Sequence, residues 1–326
     1  MNKKPIVISY KQLPEEACRQ IREHYDLVHI EKEKLENEPS SVSELAGAIG
    51  LMGAGLKVDS SFLEHAPSLK IVANISVGYN NLDLFEFTRR NILATNTPDV
   101  LTDTTADAIF GLLIATARRI PEMDRFVKNG EWSKSISPNY FGVDVHHKTL
   151  GIIGMGRIGK AIAKRASAGF DMNVLYFNRS RNQEVETTYQ ARYCSLEEVM
   201  RRSDFVCVMV PLTNETKNLI SQKKLDFLQK HAILIVGSRG GVVDEEALVT
   251  ALQEKKFRGA GLDVYEKEPL PKDHPLLTYK NVVTLPHIGS ATEETRYQMA
   301  MLATRNLLEG LKTNQPPNLL NNEVNE

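Results

Sequence analysis

A glycine motif in the middle of the chain limits the folds that this sequence can adopt. Gly154, Gly156 and Gly159 form the pattern GxGxxG, between an apolar segment, 150–153, and a segment with helical periodicity, 160–170. A strand, a tight glycine turn and a helix in this order predict a βαβ unit. In such a unit the backbone N–H groups at the start of the helix bind the phosphates of a dinucleotide.

Short apolar runs alternate with helical patterns along the whole chain, which predicts parallel sheets covered by helices. A long apolar helix is expected over 105–118, between Pro98 and Pro121. A last helix is expected over 291–311, with Ser290 as its N-cap, before a loose Asn- and Pro-rich tail. Strands are expected at 6–8, 27–30, 48–52, 70–75, 150–153, 174–177, 205–210, 232–236, 261–264 and 282–284.

Composition excludes several classes of protein. A length of 326 residues suggests about two domains. The formal net charge of −1 gives no cationic footprint for nucleic acid. No apolar stretch is long enough to cross a membrane. The three cysteines, Cys18, Cys194 and Cys207, form no CxxC pair, so we expect no metal site and buried thiols in a cytoplasmic protein.

The residues after the second strand of the βαβ unit bear on the choice of cofactor. Asn178, Arg179, Ser180 and Arg181 stand where an NAD site usually has a carboxylate for the ribose 2′-OH. Two guanidinium groups could instead bind a 2′-phosphate through charge-assisted hydrogen bonds. We therefore predict NADPH as the cofactor, with NADH as the alternative. The competing interpretation is that the two arginines only begin a solvated loop.

Several further motifs resemble those of the D-isomer specific 2-hydroxyacid dehydrogenases, over nearly the whole chain. Segments 144–151 and 287–296 look most like the bacterial glyoxylate/hydroxypyruvate reductases, also called 2-ketogluconate reductases. The other motifs are VPLTNET at 210–216, SRGGVVDE at 238–245, GLDVYEKEP at 261–269 and LPHIGS at 285–290.

The resemblance implies an α/β fold of two doubly wound parallel-sheet domains. A Rossmann cofactor domain, 101–289, would be inserted into a flavodoxin-like substrate domain formed by 1–100 and 290–326. The active site is expected in the cleft between the domains, and the family also implies a homodimer.

Three residues match the catalytic positions of the family: Arg239, Glu268 and His287. Arg239 offers a rigid fork of donors for the carboxylate and carbonyl of a 2-keto acid. His287 can donate a proton to the carbonyl oxygen as hydride arrives at the carbon. Glu268 would orient the imidazole and favour its charged form. Glu266 is a nearby competitor, but the spacing to Pro269 favours Glu268.

The resemblance also implies residues that bind cofactor and substrate. In the first domain Val77 and Gly78 would offer N–H groups to the substrate carboxylate, and Met52 and Ser290 would line the substrate pocket. The cofactor set consists of the GxGxxG residues and residues that follow other strands: Thr105, Gly154, Met155, Gly156, Arg157, Ile158, Gly159, Asn178, Arg179, Ser180, Arg181, Val210, Pro211, Thr216, Gly237, Ser238, Asp263 and Gly289.

The sequence thus predicts a cytoplasmic, NADPH-dependent reductase that converts 2-keto acids to D-2-hydroxy acids. Glyoxylate, hydroxypyruvate and 2-keto-D-gluconate are the expected substrates. One alternative is another dehydrogenase of the same family. A different class of function is a non-enzymatic dimer that senses NAD(P), like the corepressors that share this fold.

Overall fold

The computed structural model of the protein describes residues 4–322, which fall into two compact units. The first unit contains the chain up to Leu101 and again from Ala291, and the second contains Thr102–Ser290. The expectation of two parallel-sheet α/β domains is confirmed, because every strand pairing within the two sheets is parallel.

The first unit has a five-stranded parallel sheet with the order β2-β1-β3-β4-β5. Its apolar core includes Ile8, Leu51 and Val72 on three neighbouring strands. The strands are β1 Ile6–Ser9, β2 Asp26–His29, β3 Ala48–Gly53, β4 Ile71–Asn74 and β5 Leu93–Thr95, and the intervening helices are α1 Glu15–His24, α2 Lys32–Asn37, α3 Ser60–Glu64 and α4 Leu84–Arg89.

The second unit has a seven-stranded sheet with the order β12-β11-β10-β9-β6-β7-β8. It begins with two helices, α5 Thr102–Ala117 and α6 Ile120–Lys128. Its strands are β6 Thr149–Ile153, β7 Asn173–Phe177, β8 Arg192–Tyr193, β9 Phe205–Val208, β10 Ile233–Val236, β11 Gly259–Leu262 and β12 Val282–Thr284, and its other helices are α7 Arg157–Phe170, α8 Gln183–Tyr189, α9 Leu196–Arg202, α10 Gln222–Leu225 and α11 Glu245–Gln253.

The central strands of this sheet are buried on both faces, which explains their continuous apolar sequences. In β10, Leu234 and Val236 belong to one apolar cluster, whereas Ile233 and Ile235 belong to the other. Successive side chains of a strand point to opposite faces, so one short segment supplies two cores. The direction of winding reverses between β6 and β9, which are neighbours, and ligands bind at such a switch point.

Helix α5 begins at Thr102, three residues before its predicted start, and its apolar side packs on α7, β10 and β11. Asp103 and Asp107 lie on its exposed side and pair with Arg165 of α7. Helix α5 ends at Ala117, before Pro121 as expected, and Pro121 lies in the first turn of α6, where a proline removes no helical hydrogen bond.

The last helix, α12 Glu293–Thr313, packs on β3 and β4 of the first unit. Its N-cap is Thr292, whose hydroxyl accepts the Thr295 N–H at 3.3 Å, so the prediction of Ser290 as the cap is wrong. The tail is also not loose within the described residues. Asn321 is buried and accepts the Ala94 N–H at 2.9 Å, which fixes the tail beside β5.

Candidate active site

The glycine motif forms a cradle between β6 and α7. Gly154 has a φ of +104°, which favours glycine. A Cβ atom at Gly159 would lie 2.2 Å from the Gly154 carbonyl oxygen, so helix and turn can approach only without a side chain there. A Cβ atom at Gly156 would meet open space, and α7 begins directly after it, at Arg157. This open backbone at a helix start fits a dinucleotide pyrophosphate.

The loop after β7 carries Arg179 and Arg181, the two arginines predicted to bind the 2′-phosphate. Both side chains are exposed. The Arg181 guanidinium is paired with Glu186 of α8, through Nε–Oε1 at 3.0 Å and Nη2–Oε2 at 2.5 Å. Arg179 interacts electrostatically with Glu215 in the loop after β9. The two arginines are therefore not equivalent, which the sequence did not indicate.

The loops after β9 and β10 hold the next residues of the predicted cofactor set. Thr216 donates its hydroxyl to the Pro211 carbonyl at 2.6 Å and thereby folds the loop after β9. The Ser238 hydroxyl is buried and has no hydrogen-bond partner among the described residues. A buried polar atom without a partner is costly, so a bound ligand that hydrogen-bonds Ser238 would fit this position.

Arg239, Glu268 and His287 follow the ends of β10, β11 and β12. His287 Nδ1 and Glu268 Oε2 lie 2.7 Å apart, and Glu268 Oε1 accepts the Tyr265 N–H at 3.0 Å. Arg239 Nη1 donates to the Ser238 carbonyl at 2.7 Å. The carboxylate that meets His287 is Glu268 and not Glu266. This arrangement leaves His287 Nε2 as the ring nitrogen on the side away from the carboxylate.

The charge states of Glu268 and Arg239 follow from the surroundings of these side chains. Burial opposes the charge on Glu268, but the hydrogen bonds from His287 and the Tyr265 N–H, with the charge of Arg239, outweigh it and lower the pKa of Glu268. Burial lowers the pKa of Arg239 as well, and Glu268 partly offsets that. Glu268 is therefore an anion at neutral pH, able to accept a hydrogen bond from a protonated Nδ1 of His287.

A buried aspartate holds the turn that carries His287. Asp263 is 1% exposed, and its two carboxylate oxygens accept the N–H groups of Ile288 and Gly289, both at 2.8 Å. Burial raises the pKa of Asp263, and these two hydrogen bonds counteract the rise. His287 itself has a φ of +54°, which is unusual outside glycine. Asp263 therefore supports a backbone conformation that places the imidazole.

Asp263 belongs to the predicted cofactor set, and that role stays a prediction beside this structural one. Thr105 and Gly289 lie next to it, because a Cβ atom at Gly289 would be 3.2 Å from both Asp263 Oδ2 and Thr105 Cγ2. A Cβ atom at Gly237 would lie 2.3 Å from Ile109, so this turn packs directly on α5.

Sequence comparisons identify the family. Residues 110–289 match the NAD-binding domain of the D-isomer specific 2-hydroxyacid dehydrogenases. Over 322 residues the chain is 48% identical to glyoxylate/hydroxypyruvate reductase B of Enterobacter sp. strain 638, and the match covers 99% of both proteins. The chain belongs to the D-isomer specific 2-hydroxyacid dehydrogenase family. Its identity to the enzyme of the same name from Klebsiella pneumoniae strain 342 is 47% over 321 residues, which is 98% of this chain and 99% of that protein.

Solved structures agree with this assignment. The NADPH-dependent glyoxylate/hydroxypyruvate reductase of Sinorhizobium meliloti, in complex with NADP and malonate, has a TM-score of 0.87 and 32% identity, covering 99% of this chain and 98% of that one. A protein from Thermus thermophilus also has a TM-score of 0.87, with 38% identity over 97% of this chain and 99% of that one. The predicted family and fold class are thus confirmed.

The predicted substrate residues of this dehydrogenase lie mostly in the first unit. Met52 is fully buried in β3. Val77 and Gly78 follow β4, and their carbonyl groups accept hydrogen bonds from Asn96 and Asn74, both at 2.9 Å. These bonds fix the loop, so its conformation is set by two buried amides. The substrate roles of Met52, Val77, Gly78 and Ser290 stay predictions.

Two positioning residues of the dehydrogenase were missed in the sequence. Tyr265 donates its hydroxyl to the Leu285 carbonyl at 2.9 Å, which ties the loop after β11 to the segment leading to His287. Glu245, at the start of α11, accepts the Glu266 N–H at 3.2 Å and contacts His274 Nε2 at 3.1 Å. Both lie inside the matching motifs, but their partners are distant in sequence, so no local pattern marks them.

Within residues 4–322, no group of three or more His, Cys, Asp or Glu side chains is arranged to hold a metal ion. No helix in the same part of the chain is both long and apolar enough to span a membrane.

Proposed function

We propose that this dehydrogenase reduces 2-keto acids with NADPH, and that glyoxylate, hydroxypyruvate and 2-keto-D-gluconate are its substrates. The products would be glycolate, D-glycerate and D-gluconate. The observation that carries the proposal is the hydrogen-bonded His287–Glu268 pair, with Arg239 acting on the same carboxylate, at the ends of adjacent strands. The relatives named glyoxylate/hydroxypyruvate reductase support this substrate class.

Arg239 would hold the substrate through its carboxylate and carbonyl oxygen. Its planar fork of donors suits both groups, and the partly buried position strengthens the interaction. Fixing the distance and angle of the carbonyl carbon relative to the hydride donor would supply the part of the rate enhancement that comes from orientation. NADPH, when bound, supplies the hydride.

His287 would donate the proton that completes the reduction. Negative charge develops on the carbonyl oxygen, and Nε2 would transfer its proton there. Glu268, ionised and bonded to Nδ1, fixes the tautomer and stabilises the charged imidazolium before transfer. Asp263 keeps the His287 turn in place while the histidine changes charge.

The cradle from Gly154 to Gly159 would bind the pyrophosphate, with Met155, Arg157 and Ile158 between the glycines. The 2′-phosphate would lie at the loop after β7, which carries no aspartate or glutamate from 178 to 182. The NADP complex of the S. meliloti reductase supports this cofactor. The other members of the cofactor set would line the nucleotide: Thr105, Val210, Pro211, Thr216, Gly237, Ser238, Asp263 and Gly289.

We further propose that the first unit is the substrate domain and that the enzyme is a cytoplasmic homodimer joined through the cofactor unit. The support for dimerisation is a run of exposed large apolar side chains over 120–141, which would otherwise face water. Five of them are 46–63% exposed: Ile120, Val127, Trp132, Ile136 and Phe141. Sedimentation should give twice the monomer mass, and substituting Trp132 and Phe141 by Ser should shift the mass toward the monomer. A monomeric wild type would contradict the dimer.

His287→Ala tests the proposed reaction. We expect kcat for glyoxylate to fall by about 100-fold or more, since general acid catalysis contributes about 10²–10⁴-fold. NADPH binding, followed by fluorescence titration, should not change. His231→Ala is a matched control, because His231 also pairs with a carboxylate, Asp204, but lies at the opposite ends of the strands.

Near-normal kcat in His287→Ala would contradict the role of general acid. If the wild type binds NADPH but turns over none of the three substrates, the corepressor-like alternative gains support instead.

A further inference from the structure

We propose that Glu186 determines the strength of the NADPH preference by neutralising Arg181, so that Arg179 is the guanidinium that meets the 2′-phosphate. This inference rests on the proposed use of NADPH. It assigns different roles to two arginines that look equivalent in the sequence, and it gives a role to an acidic residue on α8 that belongs to none of the motifs.

The first observation is the geometry of the Arg181–Glu186 pair. Two parallel contacts, at 3.0 and 2.5 Å, join the guanidinium to the carboxylate. Such bidentate pairs are the strong and well-oriented form of the interaction. Arg181 also lies over the Tyr193 ring, 5.9 Å from its centroid. The side chain is therefore held back toward α8 and β8 by two partners.

The second observation is that the carboxylate is fixed independently of Arg181. Tyr176 is buried, and its hydroxyl donates to Glu186 Oε1 at 2.6 Å. The same Tyr176 oxygen accepts the Asn182 N–H at 2.8 Å, so it also anchors the loop. The Glu186 side chain is only 19% exposed, against 65% for Arg181. The hydrogen bonds from Arg181 and Tyr176 lower the pKa of Glu186, so it is ionised at neutral pH.

The third observation concerns Arg179. Its side chain is exposed, and it interacts electrostatically with Glu215, whose carboxylate accepts the Thr213 hydroxyl at 2.6 Å. Glu215 thus fixes a negative charge in the neighbouring loop without the bidentate contact that Arg181 has. The charge of Arg179 is therefore compensated less by its neighbour than the charge of Arg181, and it is more available to an anionic ligand.

These charges predict that removing the negative charge of Glu186 strengthens the preference for NADPH over NADH. Glu186→Gln keeps the side-chain size and an acceptor for Tyr176 but removes the negative charge beside Arg181. A 2′-phosphate would then meet the Arg181 guanidinium without its neutralising carboxylate, in addition to the guanidinium of Arg179. We expect the ratio of kcat/KM for NADPH to that for NADH to rise about fivefold, the order of effect that one charge has near a protein surface.

Glu184→Gln is the matched control. Glu184 lies on the same helix and pairs with Lys160 on α7, so this variant removes the same charge but leaves the Arg181 pair intact. Its NADPH/NADH ratio should stay within about twofold of the wild type. The rise in Glu186→Gln should appear in KM for NADPH, with kcat unchanged, because the reacting groups are elsewhere.

Two arginine variants complete the test. Arg181→Ala should lower the ratio by no more than about fivefold, because it leaves the Glu186 charge uncompensated, whereas Arg179→Ala should lower it about tenfold or more. In the double variant Glu186→Gln/Arg181→Ala the rise should disappear, because it depends on the unmasked guanidinium. If Glu186→Gln does not fold, the two arginine variants still decide, since a fall in Arg181→Ala as large as or larger than that in Arg179→Ala would show that Arg181 is a principal phosphate ligand.

The outcomes separate the two proposals. A wild type that prefers NADPH, with an unchanged or lower ratio in Glu186→Gln, overturns the role of Glu186 and leaves the proposed function intact. A wild type that prefers NADH overturns the proposed cofactor itself.

Discussion

Asp263→Asn perturbs the turn that carries His287, the proposed general acid, with a side chain of nearly the same shape as aspartate. Asparagine has one acceptor oxygen and one NH2 donor group where aspartate has two acceptors. One of the N–H groups of Ile288 and Gly289, each 2.8 Å from its oxygen, would therefore face a donor. The backbone of His287 would then tend to leave its left-handed conformation, because that conformation costs about 1–2 kcal/mol.

The expected magnitude follows from the lost hydrogen bond. A bond to a charged group contributes about 1.5–3 kcal/mol, so its loss shifts the equilibrium between turn conformations by about 10- to 150-fold. If only the native turn places His287 Nε2 for the proposed proton transfer, kcat should fall by about 10- to 100-fold. The Kd for NADPH should rise by much less than kcat falls, since the pyrophosphate cradle at Gly154–Gly159 is not altered.

The assay is steady-state reduction of glyoxylate at saturating NADPH, together with fluorescence titration of NADPH. Asp204→Asn is the control. Asp204 also accepts a backbone N–H, from Thr149 at 2.8 Å, but lies at the opposite ends of the strands, so its kcat should be normal. A wild-type kcat in Asp263→Asn would refute the positioning role. A raised Kd for NADPH with normal kcat would instead show that the Asp263 carboxylate acts on the cofactor.

Three other predictions concern stability and reactivity. Because the pKa of Glu268 lies below its ordinary value, its ionised form contributes stability that is lost as pH falls through the lowered pKa. In urea titrations, the difference in stability between the wild type and Glu268→Gln should therefore be largest above the ordinary glutamate pKa of about 4.3 and shrink as the pH falls below it. Burial raises the pKa of Cys207 to about 12 and also raises that of Cys194. A thiol reagent should therefore modify only Cys18 in the native protein, and rapid reaction of all three cysteines would contradict the packing. Asn321→Ala removes the side-chain partner of the buried Ala94 N–H and of the Ile92 carbonyl. The free energy of unfolding should fall by about 2–5 kcal/mol, and an unchanged denaturation midpoint would contradict this.

Local sequence patterns predicted the regular elements well where one physical cause dominates. Ten of the twelve strands in the described part of the chain were recognisable because buried parallel strands are continuously apolar, as in 233–236. The two short strands Leu93–Thr95 and Arg192–Tyr193 were missed, because so few residues carry no clear pattern. The glycine turn was recognisable because its spacing has a steric reason at Gly154 and Gly159. Capping was less predictable. Ser290 and Thr292 both satisfy the pattern for an N-cap, and only the path of the chain before α12 decides between them.

Interactions between distant residues could not be read from the sequence. Asn321 holds the tail through partners more than two hundred residues away, so a local excess of Asn and Pro wrongly suggested a loose end. Glu186 looks like an ordinary helix residue, and its effect on Arg181 depends on the buried Tyr176. The Glu268–His287 pair was predicted through a family resemblance, because nineteen residues of sequence separate the two groups.

The most direct test of the proposed function is a kinetic panel with the wild-type enzyme. Oxidation of NADPH or NADH is followed by absorbance with glyoxylate, hydroxypyruvate and 2-keto-D-gluconate in turn. Reduction of these 2-keto acids, with a kcat/KM at least about tenfold higher for NADPH than for NADH, is the predicted result. Equal or better kcat/KM with NADH would contradict the proposed cofactor, and binding of NADPH without turnover of any of the three acids would contradict the proposed reaction.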